Sequence, residues 1–141
     1  MTTIRPAGRA DIAALLDLDP IARTERARRD AIARWAAAGQ CHVALRDGEV
    51  AGYVVFTHGF FGQPFVELLM VRDNARRAGV GAALTNHCVE RAGEAPKLWC
   101  TTNTSNAAMQ GLLAKLGFIR SGQIDNLDDS DPELVFLRRS D

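Results

Sequence analysis

Aromatic residues are scarce in this chain of 141 residues: six phenylalanines, two tryptophans and a single tyrosine, Tyr53. Any chemistry that needs a phenol therefore has one candidate. Net charge is also lacking, with 17 basic against 17 acidic side chains, which removes a general attraction to nucleic acid or to an anionic membrane. No apolar run approaches the roughly 20 residues that span a bilayer. Residues 1–6 carry no apolar leader, so a cytoplasmic location is expected. Three cysteines, Cys41, Cys88 and Cys100, are too few and too widely spaced for a disulfide framework or a C-x-x-C metal pattern. The adjacent pairs Cys41–His42 and His87–Cys88 resemble ligand pairs. Neighbours on a strand point to opposite faces, however, and neighbours on a helix diverge by about 100°. Buried thiols and no metal are expected.

What remains is a chain that is 47% hydrophobic, enough for one core and one domain over residues 1–141. Residues 4–6 read as a short first strand. Asp11 reads as a helix cap before Ile12, Leu15 and Leu16, and Asp19–Pro20 starts a second helix that ends at Gly39. Residues 41–46 and 50–56 read as a hairpin around the turn Asp47–Gly48. A loop rich in glycine and phenylalanine, residues 58–64, leads to an apolar strand at 65–71 that carries one charge, Glu67. A basic stretch, residues 72–77, precedes a helix from about Gly79 to residue 92. A strand follows at 97–101. Asn106 caps a helix stopped by Gly117, and two strands close the chain at 118–124 and 134–138. The pattern is mixed α/β, antiparallel at the start, with a parallel pair around the helix after Gly79.

The most informative stretch is Arg76-Arg77-Ala78-Gly79-Val80-Gly81, which follows a strand and opens a helix. A helix start offers N–H groups without intrahelical partners and a partial positive charge, and so suits a phosphate. Glycine at 79 and 81 lets phosphate oxygens approach the main chain. Leu84 stands where a dinucleotide fingerprint needs its third glycine, and the lysine and hydroxyl of a P-loop are absent. From this stretch alone, a turn that simply eases a strand into a helix is the competing reading.

The segment from Glu67-Leu68-Leu69-Met70-Val71 to Gly81-Ala82-Ala83-Leu84 resembles the coenzyme A-binding motif of the GNAT superfamily of acetyltransferases. A second segment, Asn106 to Lys115-Leu116-Gly117-Phe118, resembles that family's later asparagine-to-Lys-Leu-Gly-Phe motif, in matching register. The resemblance covers residues 65–120. It implies an α+β fold with a mostly antiparallel central sheet of about six or seven strands, splayed in the middle and flanked by about four helices. Coenzyme A is implied between strands 65–71 and 97–101. The main chain of Arg76, Arg77, Ala78, Gly79, Val80, Gly81 and Ala82 is implied to hold the pyrophosphate. Leu69, Met70 and Val71 are implied to pair with the pantetheine arm, with an N–H near Met70 polarising the thioester carbonyl. Asn106 is implied as a cofactor contact, with a plain helix cap as the other reading.

The implied reaction is transfer of acetyl from acetyl-coenzyme A to a primary amine of a small molecule or peptide, in a ternary complex and without metal. An amine with a pKa of about 10.4 costs roughly 4–5 kcal/mol to neutralise at pH 7, whereas expelling a thiolate of pKa about 8.5 costs only about 2 kcal/mol. The base therefore matters more than the acid. Many family members carry a tyrosine acid where this chain has Leu113, and some carry a glutamate base where it has Thr101. Glu67 is the remaining base candidate, with partial burial expected to raise its pKa. Its other reading is a solvent-face or ion-paired carboxylate. Tyr53 is expected in the core, and it replaces the missing acid if it faces the sulfur. His58 and Cys100 are weaker candidates.

Two regions read as acceptor contacts: the aromatic loop 58–62 and the acidic run of Asp125, Asp128, Asp129, Asp131 and Glu133, which suit an amine with an apolar part. The alternative is a carboxylate acceptor met by Arg23, Arg26, Arg28, Arg29 and Arg34. No nucleic-acid or membrane partner is expected, and the assembly is expected to be a monomer or homodimer. Three other functions fit: a non-catalytic coenzyme A-binding or regulatory module, an acyltransferase with another acyl donor or a hydroxyl acceptor, and a nucleotide-binding protein.

Overall fold

A computed structural model describes residues 1–76 and 78–140. The chain begins with β1 (Thr2–Pro6), a 3-10 turn (Arg9–Asp11), α1 (Ile12–Leu18), α2 (Pro20–Thr24) and α3 (Arg26–Ala37). It continues through β2 (Cys41–Arg46), β3 (Glu49–Phe60), β4 (Gln63–Val71), a second 3-10 turn (Asp73–Ala75) and α4 (Val80–Ala92). It ends with β5 (Lys97–Asn103), α5 (Ala107–Lys115), β6 (Ile119–Ile124) and β7 (Glu133–Arg139). Among the described residues, seven strands form one sheet in the order β1-β2-β3-β4-β5-β7-β6. The pairs β1/β2, β2/β3, β5/β7 and β6/β7 are antiparallel. β4 and β5 are parallel, at Phe65↔Trp99 and Val66↔Cys100. A parallel pair needs a crossover, and α4 supplies it. The expected mixed α/β architecture is what the chain adopts. No helix among the described residues is long and apolar enough to cross a membrane.

Met1–Phe56 and Leu68–His87 form one compact unit. Its core gathers Leu15, Leu18 and Ala22 from α1 and α2, Ile32 from α3, and Cys41, Val43, Tyr53 and Val55 from the β2–β3 hairpin; Leu68 and Met70 pack against it. The hairpin turns at Asp47 and Gly48 with φ of 51° and 81°, the left-handed pair that a two-residue turn requires. Asp19 caps α2, accepting from the N–H groups of Ile21 and Ala22 at 3.0 and 3.4 Å. The single second helix read from sequence is two helices, because Glu25 is extended between α2 and α3, which gives five α-helices among the described residues. Asp11 holds the N-cap position of α1, as expected, but its side chain makes no capping bond to that helix. Its carboxylate accepts from the Gly8 N–H at 2.7 Å and pairs with Arg5 at 2.7 Å.

Thr57–Glu67 and the chain from Cys88 onward form the second unit. Leu98 and Cys100 of β5, Leu113 of α5, Phe118, and Leu134, Val135, Phe136 and Leu137 of β7 are buried. Asn106 caps α5 through its side-chain oxygen, 3.1 Å from the Met109 N–H. The loop expected at residues 58–64 is mostly strand: β3 runs to Phe60 and β4 starts at Gln63, with a tight turn at Phe61–Gly62. Phe61 adopts φ 54°, which bulky residues rarely do. That choice hid the turn from a sequence reading.

Candidate active site

The end of β4 is held in place by main-chain contacts within the first unit. Gly52 of β3 lies so close that a Cβ there would stand 2.6 Å from the Met70 carbonyl oxygen and 3.3 Å from the Val71 Cα. Arg72 then ties the strand end down. Its N–H donates to the Ala51 carbonyl at 2.7 Å, its Nε to the Val50 carbonyl at 3.2 Å, and its Nη1 to Asp17 at 3.0 Å. Arg72 therefore acts as a tether rather than as free charge for a ligand. Leu69, Met70 and Val71 are half-buried between these anchors.

After the 3-10 turn, Gly79 reaches φ 82° with open space where a Cβ would be, and α4 begins. Among the described residues, the first bond into the helix runs from the Ala83 N–H to the Gly79 carbonyl at 3.0 Å. The N–H groups of Val80, Gly81 and Ala82 precede it and have no partner inside the helix. Val80, Leu84 and Cys88 bury one face of α4, and the Thr85 hydroxyl donates to the Gly81 carbonyl at 2.9 Å. That buried face fixes the helix, so its first turn keeps its direction. Arg76 is exposed and pairs with Asp73 at 3.3 Å. Ala78 donates to the Ala75 carbonyl in the turn. Arg77 lies outside the described residues. The donor set suits a diphosphate: three main-chain N–H groups, an open glycine turn and a nearby guanidinium.

Glu67 lies in the second unit, on the β4 face that also carries Gln63 and Phe65, as the period of two dictates. It is exposed rather than partly buried as expected, and its Oε1 accepts the Thr57 hydroxyl at 3.0 Å. Beside it lies an aromatic floor. Phe60 stacks on Phe65 and Trp99 with ring centroids 5.2 and 4.9 Å apart, and the Trp99 Nε1 donates to Gln63 at 2.6 Å. Phe61 stands edge-on to Phe60 at 5.2 Å and is 89% exposed. Sequence reasoning found the phenylalanines but missed Thr57, Gln63 and Gly52, because each acts through a partner on another strand.

Tyr53 is 0% exposed, and its hydroxyl donates to Asp19 at 2.6 Å. Burial pushes the phenol up, and Asp19 adds to the shift. Asp19 also receives Arg28 at 2.9 Å. Burial pushes the Asp19 carboxyl upward, but the hydrogen bonds from Tyr53 and Arg28 outweigh it and hold the group below its ordinary value. The Tyr53 hydroxyl thus belongs to a buried cluster with Asp19 and Arg28. Burial likewise raises the Cys100 thiol to about 12, which leaves it inert. His58 is exposed.

The acceptor candidates are partly occupied by the fold itself. Asp128 accepts from Asn103 at 2.8 Å, and Asp131 accepts from the Ser105 N–H and hydroxyl at 3.0 and 2.6 Å. Arg23 donates to the Asp17 carbonyl at 2.7 Å and Arg29 to the Ala22 carbonyl at 3.0 Å. Arg26 is exposed, 3.9 Å from Asp30. Among the described residues, no group of three or more histidine, cysteine or acidic side chains is arranged to hold a metal.

The model of the acetyltransferase (GNAT) family matches residues 10–118. A comparison with curated proteins returns no match. Among solved structures, a GNAT-family acetyltransferase from Bacillus cereus ATCC 10987 is 29% identical with a TM-score of 0.90, over 99% of this chain and 97% of that one. A ribosomal-protein-alanine N-acetyltransferase from Brucella melitensis is 24% identical with a TM-score of 0.77, over 97% and 99%. YncA from Salmonella typhimurium, solved with its cofactor acetyl-coenzyme A, is 22% identical with a TM-score of 0.79, over 100% and 95%. With the family match spanning most of the chain, on a fold shared along its whole length, the protein belongs to the GNAT acetyltransferase family.

Proposed function

We propose that the chain is an N-acetyltransferase that moves the acetyl group of acetyl-coenzyme A to a primary amine of a small molecule or peptide, by direct attack in a ternary complex. The start of α4 carries this reading, because three main-chain N–H groups behind an open glycine turn match a pyrophosphate. It follows β4 after a short 3-10 turn, in the segment that resembles the family's coenzyme A motif, and the family match spans it. The Brucella relative is by name an N-acetyltransferase, which favours nitrogen over oxygen as the acceptor atom.

Bound acetyl-coenzyme A supplies an activated acyl thioester. The main chain of Val80, Gly81 and Ala82, with that of Arg76, Arg77, Ala78 and Gly79, would hold its pyrophosphate. The main chain of Leu69, Met70 and Val71 would align the pantetheine arm, and an N–H near Met70 would polarise the thioester carbonyl. Asn106 keeps its cap with Oδ1, and its side-chain NH2 would be the group that meets the cofactor. Glu67 takes the proton from the ammonium and so frees the amine lone pair. No side chain is required as acid, since a thiolate leaves at a cost of about 2 kcal/mol at pH 7; Tyr53 drops out of that role. The aromatic floor of Phe60, Phe65 and Trp99 would take the apolar part of the acceptor.

A thiol-release screen of purified protein with acetyl-coenzyme A and a panel of amines tests the reading. Amine-dependent release of coenzyme A is expected. Tight binding of acetyl-coenzyme A without release across the panel would instead favour the non-catalytic module, to which the apolar Leu113, 0% exposed, lends weight. Release with hydroxyl acceptors alone would reassign the acceptor.

A further inference from the structure

We infer that Thr57 is a positioning residue for Glu67: its hydroxyl holds Oε1 of the carboxylate and so presents Oε2 to the proton. This rests on the reading of Glu67 as the base, and it assigns a role to a residue outside the family motif.

Thr57 sits on β3 and is 6% exposed, while Glu67 on β4 is exposed. The Thr57 hydroxyl oxygen accepts the Gly59 N–H at 3.1 Å, and the hydroxyl donates to Glu67 Oε1 at 3.0 Å. A hydroxyl has one proton, and an ionised carboxylate only accepts. The main-chain N–H occupies a lone pair of the hydroxyl and sets its rotor, so the proton points at Oε1. An exposed glutamate otherwise samples several rotamers. A donor fixed to a buried strand restricts that freedom. With Oε1 held, an N–H bond of the ammonium breaks and an O–H bond forms at Oε2. The carboxylate becomes neutral and the amine gains its lone pair.

Gly59 completes the arrangement. Its φ lies outside the left-handed region, so the backbone does not demand glycine there. Space is only slightly tight: a Cβ at 59 would stand 3.2 Å from the Thr57 hydroxyl oxygen, which would shift by a few tenths of an ångström, and 3.5 Å from Glu67 Oε1, an ordinary contact. The absence of a side chain leaves the hydroxyl–carboxylate pair uncrowded.

The test is a double-mutant cycle on the full chain, with acetyl-coenzyme A and the best amine from the screen. Thr57→Val should lower kcat about tenfold and leave the Kd for acetyl-coenzyme A unchanged, while Thr57→Ser should restore most of the turnover. In the Glu67→Gln background, Thr57→Val should cause no further loss. Normal kcat in Thr57→Val, or an equal loss in both backgrounds, overturns the positioning role while leaving Glu67 as the base. Native turnover in Glu67→Gln alone overturns the reading of Glu67 itself, and this inference with it. Should Thr57→Val fail to fold, Gly59→Ala crowds the same hydroxyl without removing it. A several-fold loss confined to the Glu67 background is then expected, and an equal loss in both backgrounds overturns the role.

Discussion

Replacing Gly52 with alanine should weaken acetyl-coenzyme A binding even though residue 52 has no role in holding the cofactor. The added Cβ would stand 2.6 Å from the Met70 carbonyl oxygen, 3.3 Å from the Leu84 Cδ1 and 3.3 Å from the Val71 Cα. Carbon–oxygen contacts settle at about 3.3–3.6 Å, so β3 and the end of β4 must part by roughly 0.7 Å. Two of the three neighbours are main chain, and no rotamer change relieves them. Overpacking of this kind costs about 1–3 kcal/mol, or a fall in Tm of about 4–12 °C for a chain of this size. The same shift moves the main chain that is proposed to align the pantetheine arm. Loss of one hydrogen bond there is worth about 0.5–1.5 kcal/mol, a rise in Kd of about two- to twelve-fold. Calorimetric titration at a temperature where both proteins are folded reads the binding term, and a thermal melt reads the stability term. A Gly52→Ala protein with native Tm and native Kd would refute the claim that this close approach sets the end of β4.

Glu67→Gln should lower kcat by about a hundredfold or more with an unchanged Kd for acetyl-coenzyme A, read by steady-state kinetics and titration. Tyr53→Phe should cost about 1–3 kcal/mol of stability by removing a donor from the buried Asp19; denaturant unfolding checks this, and turnover per folded molecule should stay unchanged. Because the folded pKa of Asp19 is lowered, its contribution to stability is present above the unfolded value of about 3.9 and is lost as pH falls through the folded value. Unfolding measured from pH 6 to pH 2 should show that decline, flattened in Asp19→Asn. Gly111→Ala, in the interior of α5 with open space at its Cβ, should stabilise by about 0.5–1 kcal/mol.

Local signals were legible in the sequence where one residue type satisfies one backbone need. Asp47–Gly48, Gly79, Asp19–Pro20 and Asn106 each mark a turn or cap that few other residues make, and the structure uses all four. Asp11 was legible in position only: it is the N-cap residue of α1, but its carboxylate serves Arg5 and the Gly8 N–H at the start of the preceding 3-10 turn. Phe61 misled because its left-handed conformation is one that glycine or asparagine normally signals. Partnerships set by register were out of reach. Thr57 meets Glu67 across two strands, and Tyr53 meets Asp19 across 34 positions; neither spacing has a sequence signature. The two motifs of the family placed β4, α4 and α5, but not the hydroxyl and glycine contacts that shape them.

The most direct test of the account is a 15N–1H NMR titration of the protein with acetyl-coenzyme A. The amides of Val80, Gly81 and Ala82 should show the largest shifts, together with those of Met70 and Val71. Saturable binding that leaves the amides of Val80, Gly81 and Ala82 unmoved would contradict it, as would no binding at millimolar ligand.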